Sequence, residues 1–140
     1  MAEEEVTRPE KIIKTLLKED WFSDWLGIEV ISIKEGYCKV QMTIRKEMMN
    51  GFGITHGGIT YSLGDTCLAL ASNSYGRQSL SVETSISHTK STNIGDILYA
   101  EAEELSLSNR IGIYSITITN QNNEKVAFFR GSVYRTSKEW

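Results

Sequence analysis

Asp65 is chemically alone. Between Glu47 and Arg77 it is the only residue with a formal charge, in a stretch rich in Leu, Ala, Ser and Thr. A carboxylate moved from water into apolar surroundings is costly, so it needs hydrogen bonds, a partner or a chemical task. Ser62 and Thr66 are close enough in sequence to satisfy it as a structural group. The other reading is a nucleophile, or a general base that activates water. Burial would raise its proton affinity and nearby donors would lower it. Gly57, eight residues earlier, belongs to a His56-Gly57-Gly58 turn that opens the same stretch. A helix start leaves amide N–H groups unpaired and carries positive dipole potential. Glycines there let a ligand approach the backbone closely. That arrangement suits an oxyanion forming on a carbonyl under attack. A glycine-rich loop feeding a helix gives the same pattern without any chemistry.

Spacing constrains how the two features meet. Eight residues of helix span about 12 Å at roughly 1.5 Å per residue. One helix cannot readily bring both to one carbonyl carbon. Two antiparallel copies could, with Gly57 of one chain near Asp65 of the other, so a shared site requires a two-fold dimer. Other constellations are weaker. Ser62 lacks the glycine two places earlier that a nucleophile elbow needs. His56 and His88 are the only histidines, and no metal-ligand spacing or phosphate-binding loop is present. Cys38 and Cys67 read as buried structural thiols.

Elements that could hold these residues follow from periodicity. Thr7-Arg8-Pro9-Glu10 has capping-box spacing. Ile12, Ile13, Leu16 and Leu17 then recur at helical intervals, and Phe22, Trp25 and Leu26 are expected to carry this segment onto the body. Strand-like runs cover about 28–34 and 37–45, meeting at Glu35-Gly36. Cys38, Val40, Met42 and Ile44 alternate with polar neighbours, which predicts one buried face. Residues 57–74 suit a helix with no charged face, expected to be buried on nearly all sides. Four further strands are predicted at about 80–89, 97–107, 111–120 and 126–135, with turns at Gly95-Asp96, Ser108-Asn109 and 120–123. An antiparallel sheet must cover its apolar face and a buried helix must be wrapped. One curled sheet around one helix, an α+β arrangement, does both.

The chain has 140 residues and a formal net charge of −3. That length suits a single domain over 1–140, with an N-terminal helical segment at 1–26 and a core at 27–136. The slightly acidic balance, with Glu3-Glu4-Glu5 near the start, argues against a nucleic-acid partner. No apolar run approaches the roughly 20 residues that span a bilayer, and no basic region leads into an apolar stretch as in a secretory signal. Two widely separated cysteines form no disulfide framework, which points to a reducing, cytoplasmic setting.

Asn50-(five residues)-His56-Gly57-Gly58-(four residues)-Leu63-Gly64-Asp65 resembles the signature of the PaaI-type hotdog thioesterases, acyl-CoA hydrolases named for a protein of phenylacetate degradation. The resemblance runs from about Trp25 to Arg135. It is supported by Ala71-Ser72-Asn73-Ser74, by Gly95-Asp96, by Asn109-Arg110-Ile111-Gly112-Ile113-Tyr114 and by Ala127-Phe128-Phe129-Arg130-Gly131. It implies a hotdog fold, a curved antiparallel sheet around a central helix. It implies hydrolysis of an acyl- or aryl-acyl-CoA thioester, with no cofactor and no metal. Asp65 matches the catalytic acid and Gly57 the backbone donor, with Gly58 beside it. Asn50 and His56 match residues flanking the reacting group, though either could simply fasten the loop. Ser81 falls near a position that helps hold the attacking water. Lys90 and Arg110 are candidates for the coenzyme A phosphates. A homodimer or homotetramer, with sites at the subunit interface, is expected.

The chain departs from the family in having Gly64 where Ala is common. It also has His88-Thr89-Lys90-Ser91-Thr92 where an aromatic residue and then Arg/Lys-Pro-Ala are common. These departures bear on the acyl group, phenylacetyl first of all. Two alternatives differ in class. A hotdog hydratase or dehydratase usually shows Asp, four residues, then His, whereas Gly51 stands five before His56. A non-catalytic acyl-CoA-binding module would have no need of Asp65.

Overall fold

The computed structural model describes residues 3–140; the first two residues of the predicted N-terminal segment lie outside the described residues. Helix α1 (Arg8–Leu17) starts as its capping box predicts. Glu10 N–H donates to Thr7 Oγ1 at 3.3 Å, and Thr7 N–H donates to Glu10 Oε2 at 3.0 Å. Ile12 and Ile13 are buried, and Leu16 and Leu17 pack against the core. A second helix, α2 (Trp21–Leu26), is not evident from periodicity. Asp20 caps it, accepting from Ser23 N–H at 3.0 Å, and Gly27 ends it in the left-handed region. Only Leu26 of the three expected anchors is buried. Phe22 and Trp25 are 55% and 47% exposed and stack on each other.

Strands β1 (Glu29–Lys34) and β2 (Tyr37–Thr43) form the predicted hairpin. In β2, Cys38, Val40 and Met42 are buried and alternate with more exposed residues, which is the expected one-sided strand. A single 3-10 turn (Lys46–Met48) and a loop lead into α3 (Gly57–Asn73). Then come β3 (Arg77–His88), β4 (Ile97–Leu107), β5 (Ile111–Thr119) and β6 (Lys125–Glu139). All pairings are antiparallel, in the order β1-β2-β4-β5-β6-β3, so β1 and β3 are the edges. Strand β3 begins three residues before its predicted start at 80, and β6 runs past the predicted core boundary at 136. Pairing of Arg77 with Glu139 carries both beyond their apolar stretches. Register shifts interrupt four of the five pairings. Each bulge bends its strand, and together they curl the sheet around α3.

Helix α3 touches every strand. Leu63, Cys67, Leu68, Leu70 and Ala71 are fully buried beneath it, against Val40, Ala100, Ile116 and Phe129. Each buried leucine contributes about 1.5–3 kcal/mol relative to an exposed one. The expectation of burial on nearly all sides is corrected along one strip. Tyr61, Ser62, Asp65 and Ala69 are only half-buried, and Gly58 is exposed. These positions recur at helical spacing and form the one open face of α3. Both cysteines are buried free thiols. No helix among the described residues is long and apolar enough to cross a membrane.

Candidate active site

Asp65 projects from the open strip of α3. Neither neighbour that could have satisfied it does so. Ser62 Oγ donates to Gly58 O at 2.7 Å, and Thr66 Oγ1 pairs with Ser23 Oγ at 3.2 Å. Among the described residues nothing hydrogen-bonds or ion-pairs with the Asp65 carboxylate, since the two salt bridges are Arg45–Glu47 and Lys90–Glu124. Burial, and after it the charge of Asp20, raises its pKa above the ordinary carboxylate value. The carboxylate opens into a hollow of about 150 Å³ with Ala69, Ser72, Ser79 and Ser81 on its walls. Ser81 is thus brought beside Asp65 by β3, which runs antiparallel to α3 along its open side.

The α3 entry is built by His56. Its backbone N–H donates to Met48 O at 2.8 Å, and its carbonyl accepts from Ile59 N–H at 2.9 Å. Its Nδ1 accepts from Gly58 N–H at 2.9 Å. Of the first three helical amides, Gly58 and Ile59 are therefore satisfied, and the Gly57 N–H has no acceptor among the described residues. The helix dipole adds positive potential at that point. A donor held without a partner by its neighbours can stabilise a developing oxyanion.

Asn50 fastens the loop. Its Oδ1 accepts from Phe52 N–H at 2.9 Å and Ile54 N–H at 3.3 Å. It also lines a cleft of about 370 Å³ with Gly57, Thr60, His88 and Lys90. On the other side of the entry turn, His56, Gly58 and Ser62 face a second cleft of about 380 Å³ walled by Phe22, Met48 and Met49. Gly57 and Asp65 line separate hollows of one chain.

Lys90 is exposed and ion-paired with Glu124 at 2.9 Å. Arg110 is elsewhere, in the turn between β4 and β5. It is next to Asn109, which accepts from the Arg77 guanidinium, and its own Nη1 donates to Arg135 O at 3.5 Å. Lys90 follows the end of the 12-residue β3 and Arg110 lies near its start. At about 3.3 Å per residue the two ends of the strand are roughly 36 Å apart. The structure does not bring Lys90 and Arg110 together within one chain.

In the sequence His88 has no metal-ligand spacing and enters only through the 88–92 segment that bears on the acyl group. In the structure it reaches the α3 entry from β3, and its Nε2 hydrogen-bonds to Thr60 Oγ1 across 28 residues of sequence. No local spacing signals a contact made by tertiary approach. Cys67 is inert: a hydrogen bond involving Cys38, then burial, pushes its thiol well above the usual range. Among the described residues no group of three His, Cys, Asp or Glu side chains is placed to hold a metal.

The family model for the thioesterase superfamily matches residues 52–127. The acyl-coenzyme A thioesterase PaaI of Escherichia coli is 39% identical over 110 residues, covering 79% of this chain and 79% of that protein. The solved structure of E. coli PaaI, from the phenylacetic acid degradation operon, superposes with a TM-score of 0.92 at 33% identity, covering 94% and 96% of the two chains. A Streptococcus mutans protein solved bound to acetyl CoA superposes with a TM-score of 0.78 at 26% identity, covering 81% and 91%.

Proposed function

The chain belongs to the thioesterase superfamily, in its PaaI-type hotdog branch, and from that premise we infer that it is an acyl-CoA thioesterase with a composite site. It hydrolyses an acyl-CoA to the free acid and coenzyme A. One observation carries the site assignment. A single helix holds an unsatisfied carboxylate, Asp65, and an unsatisfied amide donor, Gly57, in separate hollows.

Asp65 as general base takes a proton from water while the water oxygen attacks the thioester carbonyl carbon. Negative charge moves onto the carbonyl oxygen, where the Gly57 N–H of the second chain stabilises it. Collapse of the tetrahedral intermediate breaks the C–S bond, and the leaving thiolate recovers the proton from Asp65. If Asp65 instead attacks directly, the C–S bond breaks as a mixed anhydride forms and coenzyme A leaves as thiolate; water then hydrolyses the anhydride to the free acid and the Asp65 carboxylate, and its released proton goes to the thiolate. Ser81 orients the water in either route. Gly58, His56 and Asn50 shape the entry turn and its clefts. Burial, and after it the charge of Asp20, raises the proton affinity of Asp65, which strengthens it as a base.

The exposed edge β3, with Leu80 and Val82 66% and 63% exposed, supports a two-fold dimer in which β3 pairs with its copy. Antiparallel pairing would set Lys90 of one chain towards the Arg77–Arg110–Arg135 end of the other. That resolves the distance between Lys90 and Arg110 and gives the coenzyme A phosphates a basic rim. A tetramer of two such dimers follows the family resemblance. Two buried free thiols support a cytoplasmic setting, and the phenylacetyl group is one candidate acyl substrate by likeness to E. coli PaaI.

The test is free-thiol release from acetyl-, medium-chain acyl-, hydroxybenzoyl- and phenylacetyl-CoA. Thiol release is expected from at least one of them. Hydration of enoyl-CoA without thiol release, or tight binding without turnover, overturns the assignment.

A further inference from the structure

We propose that His88 is a positioning residue of this site: acting through Thr60, it holds the Gly57–Gly58 peptide so that the Gly57 N–H faces the thioester carbonyl. The proposal rests on the reading of Gly57 as the oxyanion donor.

Hydrogen count fixes the direction of the bonds. Thr60 Oγ1 donates to Gly57 O at 3.0 Å. A hydroxyl has one hydrogen, so towards His88 it can only accept. The hydrogen between Thr60 and His88 therefore belongs to His88 Nε2. At the other side of the same peptide, Gly58 N–H donates to His56 Nδ1 at 2.9 Å, which puts the hydrogen of neutral His56 on Nε2. The chain runs one way: His88 Nε2–H to Thr60, Thr60 O–H to the Gly57 carbonyl, and Gly58 N–H to His56. Each bond polarises the next.

The Gly57–Gly58 peptide plane is thus held at both its oxygen and its hydrogen. The amide left unclaimed is the one before it, Gly57 N–H. The His88 ring also lies against Gly57 itself, with Cε1 3.3 Å from where a Cβ would stand. Its anchor is a paired strand: His88 pairs with Ala127, and Thr89 N–H donates to Val126 O at 2.9 Å. One strand, β3, therefore carries Ser81 to Asp65 and His88 to Gly57, so both halves of the chemistry are referenced to the same edge.

Four variants test this. His88→Phe keeps a flat ring and removes the donor, His88→Gln keeps a donor, and Thr60→Val removes the relay hydroxyl at nearly constant shape; the fourth is the Phe–Val double variant. His88→Phe and Thr60→Val should each lower kcat about tenfold, the net worth of roughly one hydrogen bond, with KM changed less than about twofold. The double variant should be no worse than the more impaired single one, and His88→Gln should regain most of the loss. Imidazole 15N shifts of the wild type should show the Nε2–H tautomer at His88. Unchanged kcat in His88→Phe, losses that multiply in the double variant, or an Nδ1–H tautomer overturns the proposal. Gly57→Pro, which removes the amide hydrogen at a first helical position that tolerates proline, run alongside separates the two failures. If it abolishes turnover while His88→Phe does not alter it, only the positioning role fails. If neither alters turnover, the site reading itself is wrong.

Discussion

At the scale of single residues, the fold holds Asp65 in a state that works against its proposed role. The protomer raises its pKa by burial and by the charge of Asp20, so folding favours the protonated form, whereas a base or nucleophile must be ionised. The unfolded chain ionises first as pH rises above the ordinary carboxylate range. Native Asp65 then binds more proton than unfolded Asp65, and stability falls across the window up to the raised folded value. With Asp65 as the proposed base, activity should move in the opposite sense, rising through the same window as the carboxylate forms. Asp65→Asn should remove the pH-dependent loss of stability and leave a variant at least as stable as wild type at neutral pH. Its turnover should drop by roughly 10²–10⁴, the range for a positioned acid or base, with little change in KM. Thermal melts across pH and a pH–rate profile check both halves. A destabilised variant whose residual activity follows its folded fraction would return Asp65 to a structural role. Asp65 was legible in the sequence because an isolated charge in an apolar helix is itself a signal. His88 was not, because its contact with Thr60 depends on where β3 ends in space.

At the scale of elements, the β1–β2 hairpin shows how a turn is tied to the body. Gly36 has φ 73°, in the left-handed region, and a Cβ there would stand 2.5 Å from Tyr75 Oη and 2.9 Å from Glu104 Oε1. Its N–H donates to Ser74 Oγ at 2.8 Å, just past the end of α3. Glu104 in turn accepts from the Tyr75 and Tyr114 hydroxyls at 2.8 and 3.0 Å. Gly36→Ala should cost about 1–3 kcal/mol from the strained backbone alone, with the collision adding to it. Denaturant unfolding should show a lower midpoint at an unchanged m-value, and an unshifted midpoint would contradict this. The hairpin, α3 and the alternation of β2 were readable because period and turn residues agreed. Helix α2 was missed because six residues give too little periodicity, and its Asp20 cap resembles any surface acid. The ends of β3 and β6 were missed because pairing of polar residues extends them beyond the apolar pattern.

At the scale of the whole molecule, strand order is what spacing could not give. Placing β3 outside β6 leaves a 12-residue edge beside the open strip of α3, and both features invite the same occupant, a second copy of the chain. In the proposed two-fold dimer two equivalent sites would form, each taking Asp65 from one chain and Gly57 from the other. Mixing separates this arrangement from a site contained in one chain. Asp65→Asn lacks the proposed base but keeps an intact entry turn. Gly57→Pro removes the Gly57 N–H at the first helical position, where proline is tolerated, but keeps Asp65. Each homodimer should be nearly inactive. In a heterodimer one site receives both defects and the other receives neither, so random exchange should restore about a quarter of wild-type activity: half the dimers, each with one of its two sites intact. Subunit exchange is verified by mass spectrometry and activity is followed by thiol release. Proven heterodimers without recovery would locate both halves of the site in a single chain, and sedimentation of a stable, active monomer would independently place them there too.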